Sequence, residues 1–243
     1  MARRGQLTMK VQGRKAVVFG GASGIGLATV ERLLEMGARV VCVSRSAHPE
    51  VSGVLEGLTH RQCDVRDCNA LASLFQAETP FDILISTATG GSRAMGPFLS
   101  MDLDGYKASF DKLWGYANVV RLGAPHLNAD GCIVLVSGSP ARRPRPGQVA
   151  LASVGAAVEQ LARTVARELA PKRINVVSPG VIETPMFGEE GEARTEKLAK
   201  MTAANAIPRP GAPDEVAKGI IFVIENDFVT GTTLDVDGGA LCP

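Results

Sequence analysis

Residues 15–38 read KAVVFGGASGIGLATVERLLEMGA, an apolar run that breaks into glycines at Gly20, Gly24 and Gly26 and resumes with apolar residues at helical spacing. That order predicts a strand at 15–19, a tight turn and a helix at 25–36. Glycine lets the backbone bend sharply and come close to a ligand. A helix opening at such a turn aims unpaired N–H groups and the positive end of its dipole at whatever lies there. A pyrophosphate suits that position, so Gly20, Ser23, Gly24, Ile25 and Gly26 are the candidate phosphate-binding residues of a dinucleotide site.

Outward from this stretch the same alternation continues. Further apolar runs at 39–43, 59–63, 83–86, 132–136, 173–177 and 233–236 alternate with amphipathic segments at 67–76, 103–127, 148–169 and 214–225. Repeated βαβ units with right-handed crossovers predict an α/β fold, a Rossmann-type doubly wound parallel sheet in a single domain over 1–243, with 1–10 as an N-terminal extension. Two irregular stretches, 90–100 and 184–212, follow strand carboxyl ends, the edge where open α/β sheets bind ligands. The second is rich in Glu, Lys and Ala and is closed by Pro208, Pro210 and Pro213. It is expected to form a helical lid over a substrate.

A chain that is 45% hydrophobic and 21% charged can bury a core, and a net charge of +1 argues against nucleic acid or an anionic membrane as the main partner. A small-molecule substrate remains. No segment is expected to reach transmembrane length, and Arg3 and Arg4 have no apolar run behind them, so a cytoplasmic location is expected. Cys42, Cys63, Cys68, Cys132 and Cys242 are odd in number and lack paired spacing. They read as reduced structural thiols, with no metal site expected. His48, His60 and His126 are expected to have surface or packing roles.

The run at 39–43 leads into Ser44 and Arg45, where a carboxylate would grip the ribose hydroxyls of NAD. A hydroxyl and a guanidinium suit a 2'-phosphate instead, and the expected cofactor is NADP(H). Asp64 and Val65 follow the third run, where an adenine ring would rest, and Asp64 is expected to accept from its exocyclic amine.

The segments GGASGIG (20–26), CDVRD (63–67), VLVSG (134–138), RINVVSPGVIETPM (173–186) and GTTLDVDGG (231–239), in that order, resemble the short-chain dehydrogenase/reductase family. The resemblance implies a seven-stranded parallel sheet and a homo-oligomer, dimer or tetramer, built on the two longest helices. It implies that Pro179, Gly180, Val181 and Thr184 line the nicotinamide. Ser86-Thr87-Ala88-Thr89 replaces the family's Asn-Asn-Ala-Gly, and Ala88 is carried over as a cofactor-binding residue.

The family's catalytic Asn, Ser, Tyr and Lys fall on Lys112, Gly138, Leu151 and Gly155. The only tyrosines, Tyr106 and Tyr116, lie in the preceding helical segment. Hydride delivery to a carbonyl leaves an alkoxide that needs a proton donor, and Leu151 is none. The chain therefore reads as an NADP(H)-dependent oxidoreductase with a non-standard catalytic site. One version takes an iminium-like substrate that needs no proton. Another keeps carbonyl chemistry, with Ser137 or Ser139 binding the substrate oxygen and Lys112 reaching into space vacated at Gly155. Arg142, Arg143 and Arg145 lie at the rim, either solvated or attracting an acidic substrate. The alternative is a catalytically silent NADP(H)-binding regulatory or structural protein. Trp114 and Tyr116 are expected in the core or at a subunit contact.

Overall fold

The computed structural model describes residues 10–46, 56–89 and 93–243. His48, nearly all of the 1–10 extension and the start of the 90–100 loop lie outside them. The element order is β1 (Lys15–Phe19), α1 (Gly24–Glu35), β2 (Arg39–Ser44), β3 (Leu58–Gln62), α2 (Cys68–Glu78), β4 (Phe81–Ser86), α3 (Leu103–Ser109) and α4 (Asp111–Gly123). Then come β5 (Leu127–Val136), α5 (Val149–Leu169), β6 (Arg173–Pro179), α6 (Glu192–Thr202), α7 (Pro213–Glu225) and β7 (Thr233–Val236). The strands form one seven-stranded sheet ordered β3-β2-β1-β4-β5-β6-β7, and every adjacent pair is parallel.

Alternation along each strand divides the core between the two faces of the sheet. Val17 and Phe19 of β1 share one face with Phe75 of α2, Tyr116 of α4 and Val158 of α5. Ala16 and Val18 share the other with Val30 of α1 and Val216 and Ile220 of α7. The chain reverses from β1 to β4 across the sheet, and the carboxyl ends of β1 and β4 mark the switch point where such sheets open a crevice.

Three expectations are corrected. The helix expected at 103–127 is two helices, because the Phe110 N–H bonds to Lys107 O at 2.9 Å, one residue short of the α-helical partner. Pro125 then stands in a short 3₁₀ turn, Ala124–His126, and Leu127 begins β5 opposite Phe81. The third strand begins and ends one residue earlier than expected, leaving Cys63 beyond it. Finally, α5 is 21 residues long and apolar enough to cross a bilayer by length and composition alone. Its Val154, Val158, Ala162 and Ala166 are instead buried on the protein side, and Gln160 and Arg163 mark the polar face.

Candidate functional site

At the Gly20 turn the backbone is packed against itself. The Gly20 N–H donates to Val43 O at 2.8 Å, and the Thr87 N–H and hydroxyl both donate to Phe19 O, at 2.9 and 3.1 Å. Gly20 has φ +77° and Gly24 φ +52°, values that favour glycine. A Cβ on Gly26 would lie 2.0 Å from Gly20 O. The N-terminus of α1 receives no side-chain cap from Ser23, and its first turn carries no acidic residue. Its N–H groups and dipole are therefore offered to an anion, and the turn fits a dinucleotide pyrophosphate.

One cleft of about 1270 Å³ runs from this turn to the loops after β4, β5 and β6. Roughly 300–1,000 Å³ serves a single small ligand, so the cleft has room for a dinucleotide and a substrate together. Every candidate catalytic or cofactor-binding residue named from the sequence lines it except Asp64. The Asp64 carboxylate is taken by Arg66, whose backbone N–H and guanidinium both bond to it, and this arrangement holds its pKa below the usual range. Cys63 and Val65 form that part of the wall instead.

Ser44 and Arg45 stand beside the turn at the end of β2, next to β1 in the sheet. The Ser44 hydroxyl donates to Ser46 O at 2.6 Å and lies 2.9 Å from His60 Nε2. With its own hydrogen spent on Ser46, Ser44 accepts from the imidazole, which fixes the proton on Nε2. Sequence reading missed this role for His60, because the pairing depends on the β2–β3 register that sets His60 opposite Cys42. His126 packs as expected, its ring 6.2 Å from that of Phe75.

At the other end, Lys112 on α4 points its ammonium at Ser137 O, 3.3 Å away, and lies over the Tyr116 ring. It forms no salt bridge with any described carboxylate. Burial pushes its pKa down to about 7, and the positive charge of Arg93 adds to the effect. The Ser137 hydroxyl, expected to bind a substrate oxygen, donates instead to Glu159 Oε1 at 2.9 Å. Glu159 also receives Arg142, so Ser137 serves a buried polar network behind the wall. Ser139 opens the short 3₁₀ turn Ser139–Ala141, and its hydroxyl has no hydrogen-bond partner among the described residues.

Lys112 does not fill space left by the absent side chain of residue 155. A Cβ on Gly155 would meet the Ala141 Cβ at 2.9 Å, so that space belongs to the turn after β5. Arg142 is also displaced from its expected place at the rim, paired with Asp235 and Glu159, whereas Arg143 and Arg145 line the cleft. Tyr116 is fully buried and donates to Val136 O at 3.1 Å, and Trp114 is exposed. The expected lid region contributes α6, whose Lys197, Lys200 and Met201 face the cleft together with Met186 and Phe187 before it. These residues and Arg93 carried no recognisable motif in the sequence beyond their position in irregular stretches.

The comparisons with known proteins point the same way as the turn and the strand order. A family model described as enoyl-(acyl carrier protein) reductase matches residues 20–240. The chain is similar to the D-erythrulose reductase of Gallus gallus, 30% identical over 243 residues that span 96% of this chain and 98% of that one. It is also similar to the 3-oxoacyl-(acyl-carrier-protein) reductase FabG of Thermotoga maritima, 32% identical over 253 residues, covering 95% and 99%. Among solved structures, a small-chain dehydrogenase in complex with NADPH superimposes with a TM-score of 0.83 at 29% identity, covering 96% of this chain and 100% of the other. Likeness over almost the whole length, in sequence and in fold, makes the chain a member of the short-chain dehydrogenase/reductase family of NAD(P)-dependent oxidoreductases.

Proposed function

We propose that the chain is an NADP(H)-dependent reductase of a carbonyl group in which the Lys112 ammonium supplies the proton that the family's Tyr and Lys usually manage. The observation that carries this reading is Lys112 itself, a cation without a carboxylate partner among the described residues, in the wall of the cleft, with its pKa brought down to about 7. A donor whose pKa lies near the working pH is best placed to give up a proton in the reaction and regain it afterwards. Ser137 O holds the ammonium in position, and Ser139 has a hydroxyl to offer the substrate oxygen. When bound, NADPH supplies the hydride. Among the described residues seven cations and no carboxylate line the cleft, a field that opposes an iminium ion and favours a neutral carbonyl developing negative charge.

Arg45 supports NADP(H) over NAD(H), as does the solved relative in complex with NADPH, whereas Ser44 has its hydrogen committed to Ser46 O. A hydrogen bond to a charged group is worth about 1.5–3 kcal/mol. Arg45→Ala is therefore expected to raise the NADPH Kd by about 10–100-fold while moving the NADH Kd little, as measured by fluorescence titration. Equal weakening of both cofactors would remove Arg45 from the 2'-phosphate.

Steady-state NADPH consumption against panels of ketones, aldehydes and preformed iminium ions tests the activity. Turnover of carbonyls that falls as pH rises through about 7 is the expected result. Turnover of iminium ions alone would sink the proton-donor role, and NADPH binding without consumption in any panel would favour the silent binder. Restoring the usual pair by Leu151→Tyr with Gly155→Lys is expected to cost stability, about 1–3 kcal/mol from overpacking against Ala141. Thermal unfolding checks this, and an added Ala141→Gly is expected to recover part of the loss.

A further inference from the structure

The seven cations of the cleft fall into two groups by their place on the sheet. Arg45 stands over the β2 side, where the 2'-phosphate is read. The other six come from the opposite side: Arg93 after β4, Lys112 on α4, Arg143 and Arg145 after β5, and Lys197 and Lys200 on α6. Elsewhere some exposed arginines are neutralised, Arg142 by Asp235, Arg209 by Glu215 and Arg66 by Asp64 and Asp111, whereas Arg39, Arg121, Arg163 and Arg167 stand scattered with no salt bridge among the described residues. In the substrate half, among the described residues, only Lys200 has an acidic partner, Glu196 at 3.5 Å. Arg143 donates to the carbonyls of Ala240 and Cys242, Arg145 to Met201 O at 2.8 Å, and Lys197 lies over the Phe187 ring. Carbonyl oxygens and a ring face orient a cation without cancelling its charge.

Gathered at the mouth of a cleft with low-dielectric walls, such charges raise the local concentration of an anion and hold it once it has entered. We propose that the substrate is a carbonyl compound carrying an anionic group, a carboxylate or a phosphate, held at the mouth by Arg143, Arg145 and Lys197 while its carbonyl meets Lys112. This deepens the reduction reading above and rests on it for the placing of the carbonyl.

The test uses matched probes on the NADP⁺-loaded protein, so that binding is read without turnover. Calorimetric Kd values are compared for 4-acetylbenzoate with its methyl ester, 4-oxopentanoate with its methyl ester, 4-acetylphenyl phosphate, and a trimethylammonium analogue. The expected result is at least a tenfold advantage of the anion over its ester in one or both pairs, shrinking as salt is raised, with the cation weakest. The phosphate and carboxylate arms show which anion fits. Arg145→Gln is expected to lower the ratio of anion to ester affinity several-fold, with Arg145→Lys restoring it. Lys197→Gln, which removes a charge without touching a backbone bond, is expected to lower it too. The proposal is overturned if neither pair shows an advantage of the anion, or if both charge-removing variants leave the ratio intact. NADPH consumption with the same probes is then measured separately. Selective binding without consumption would sink the reduction reading and leave the anion site standing.

Discussion

Lys112→Met is expected to lower kcat for carbonyl reduction by about two to four orders of magnitude, the usual contribution of a positioned acid or base, while the NADPH Kd stays within about twofold. The separation follows from the layout of the cleft. Lys112 comes from α4 at the substrate end, and the glycine turn and Arg45 lie at the other. Lys112→Arg keeps the charge but cannot surrender a proton near neutral pH, so it should fail almost as badly. A stability readout separates chemistry from damage. The Lys112 proton is held less tightly in the folded chain, near pH 7, than in the unfolded chain, near pH 10.4. Unfolding therefore takes up a proton between those values, and native stability rises with pH across that window. The full cost of this half-buried charge is present below about pH 7. Lys112→Met should then be the more stable protein at pH 6, on the order of 2 kcal/mol after the loss of the Ser137 bond, with the advantage shrinking by pH 9. Thermal unfolding at the two pH values measures it. A variant that is dead and also less stable at pH 6 would mean that Lys112 is structural.

Fold and site differed in how far they could be read from the chain. Strand and helix placement follows from local periodicity, and residues 15–19 and 233–236 emerge as strands with their expected limits because these short apolar stretches are bounded by glycine-bearing turns. The break at Phe110 leaves that periodicity unchanged and was invisible for that reason. The residues that line the cleft around the glycine turn and the ends of β2, β4 and β6 were legible because each lies within a few positions of a strand end, where topology places a ligand crevice. Asp64 is the exception, and Arg66, two residues on, folds back to take its carboxylate. The substrate end was hardest to read. Whether the place left at Gly155 is open depends on Ala141, fourteen residues earlier. The sign of the cleft depends on cations brought in by separate loops and two helices, which together form no motif.

Gly26→Ala is expected to destabilise the fold by more than about 3 kcal/mol, or to abolish NADPH binding in whatever protein remains soluble. The Cβ would lie 2.0 Å from Gly20 O and 2.6 Å from Thr87 Oγ1. The oxygen is backbone, so no rotamer relieves the contact. Gly20 has little room to retreat, because Ala88 N lies 2.8 Å from where a Cβ on Gly20 would stand and the Gly20 N–H is bonded to Val43 O at 2.8 Å. The α1 N-terminus must therefore swing outward, carrying its N–H groups away from the pyrophosphate they face. Gly13→Ala is the informative control. It shares φ +77° but meets nothing within 4 Å, so it carries only the backbone strain, about 1 kcal/mol. Thermal unfolding and NADPH fluorescence titration of the two variants should thus differ sharply. If Gly26→Ala behaves like Gly13→Ala in both, the turn is not the tight cradle that a pyrophosphate site requires, and the dinucleotide must be held elsewhere along the cleft.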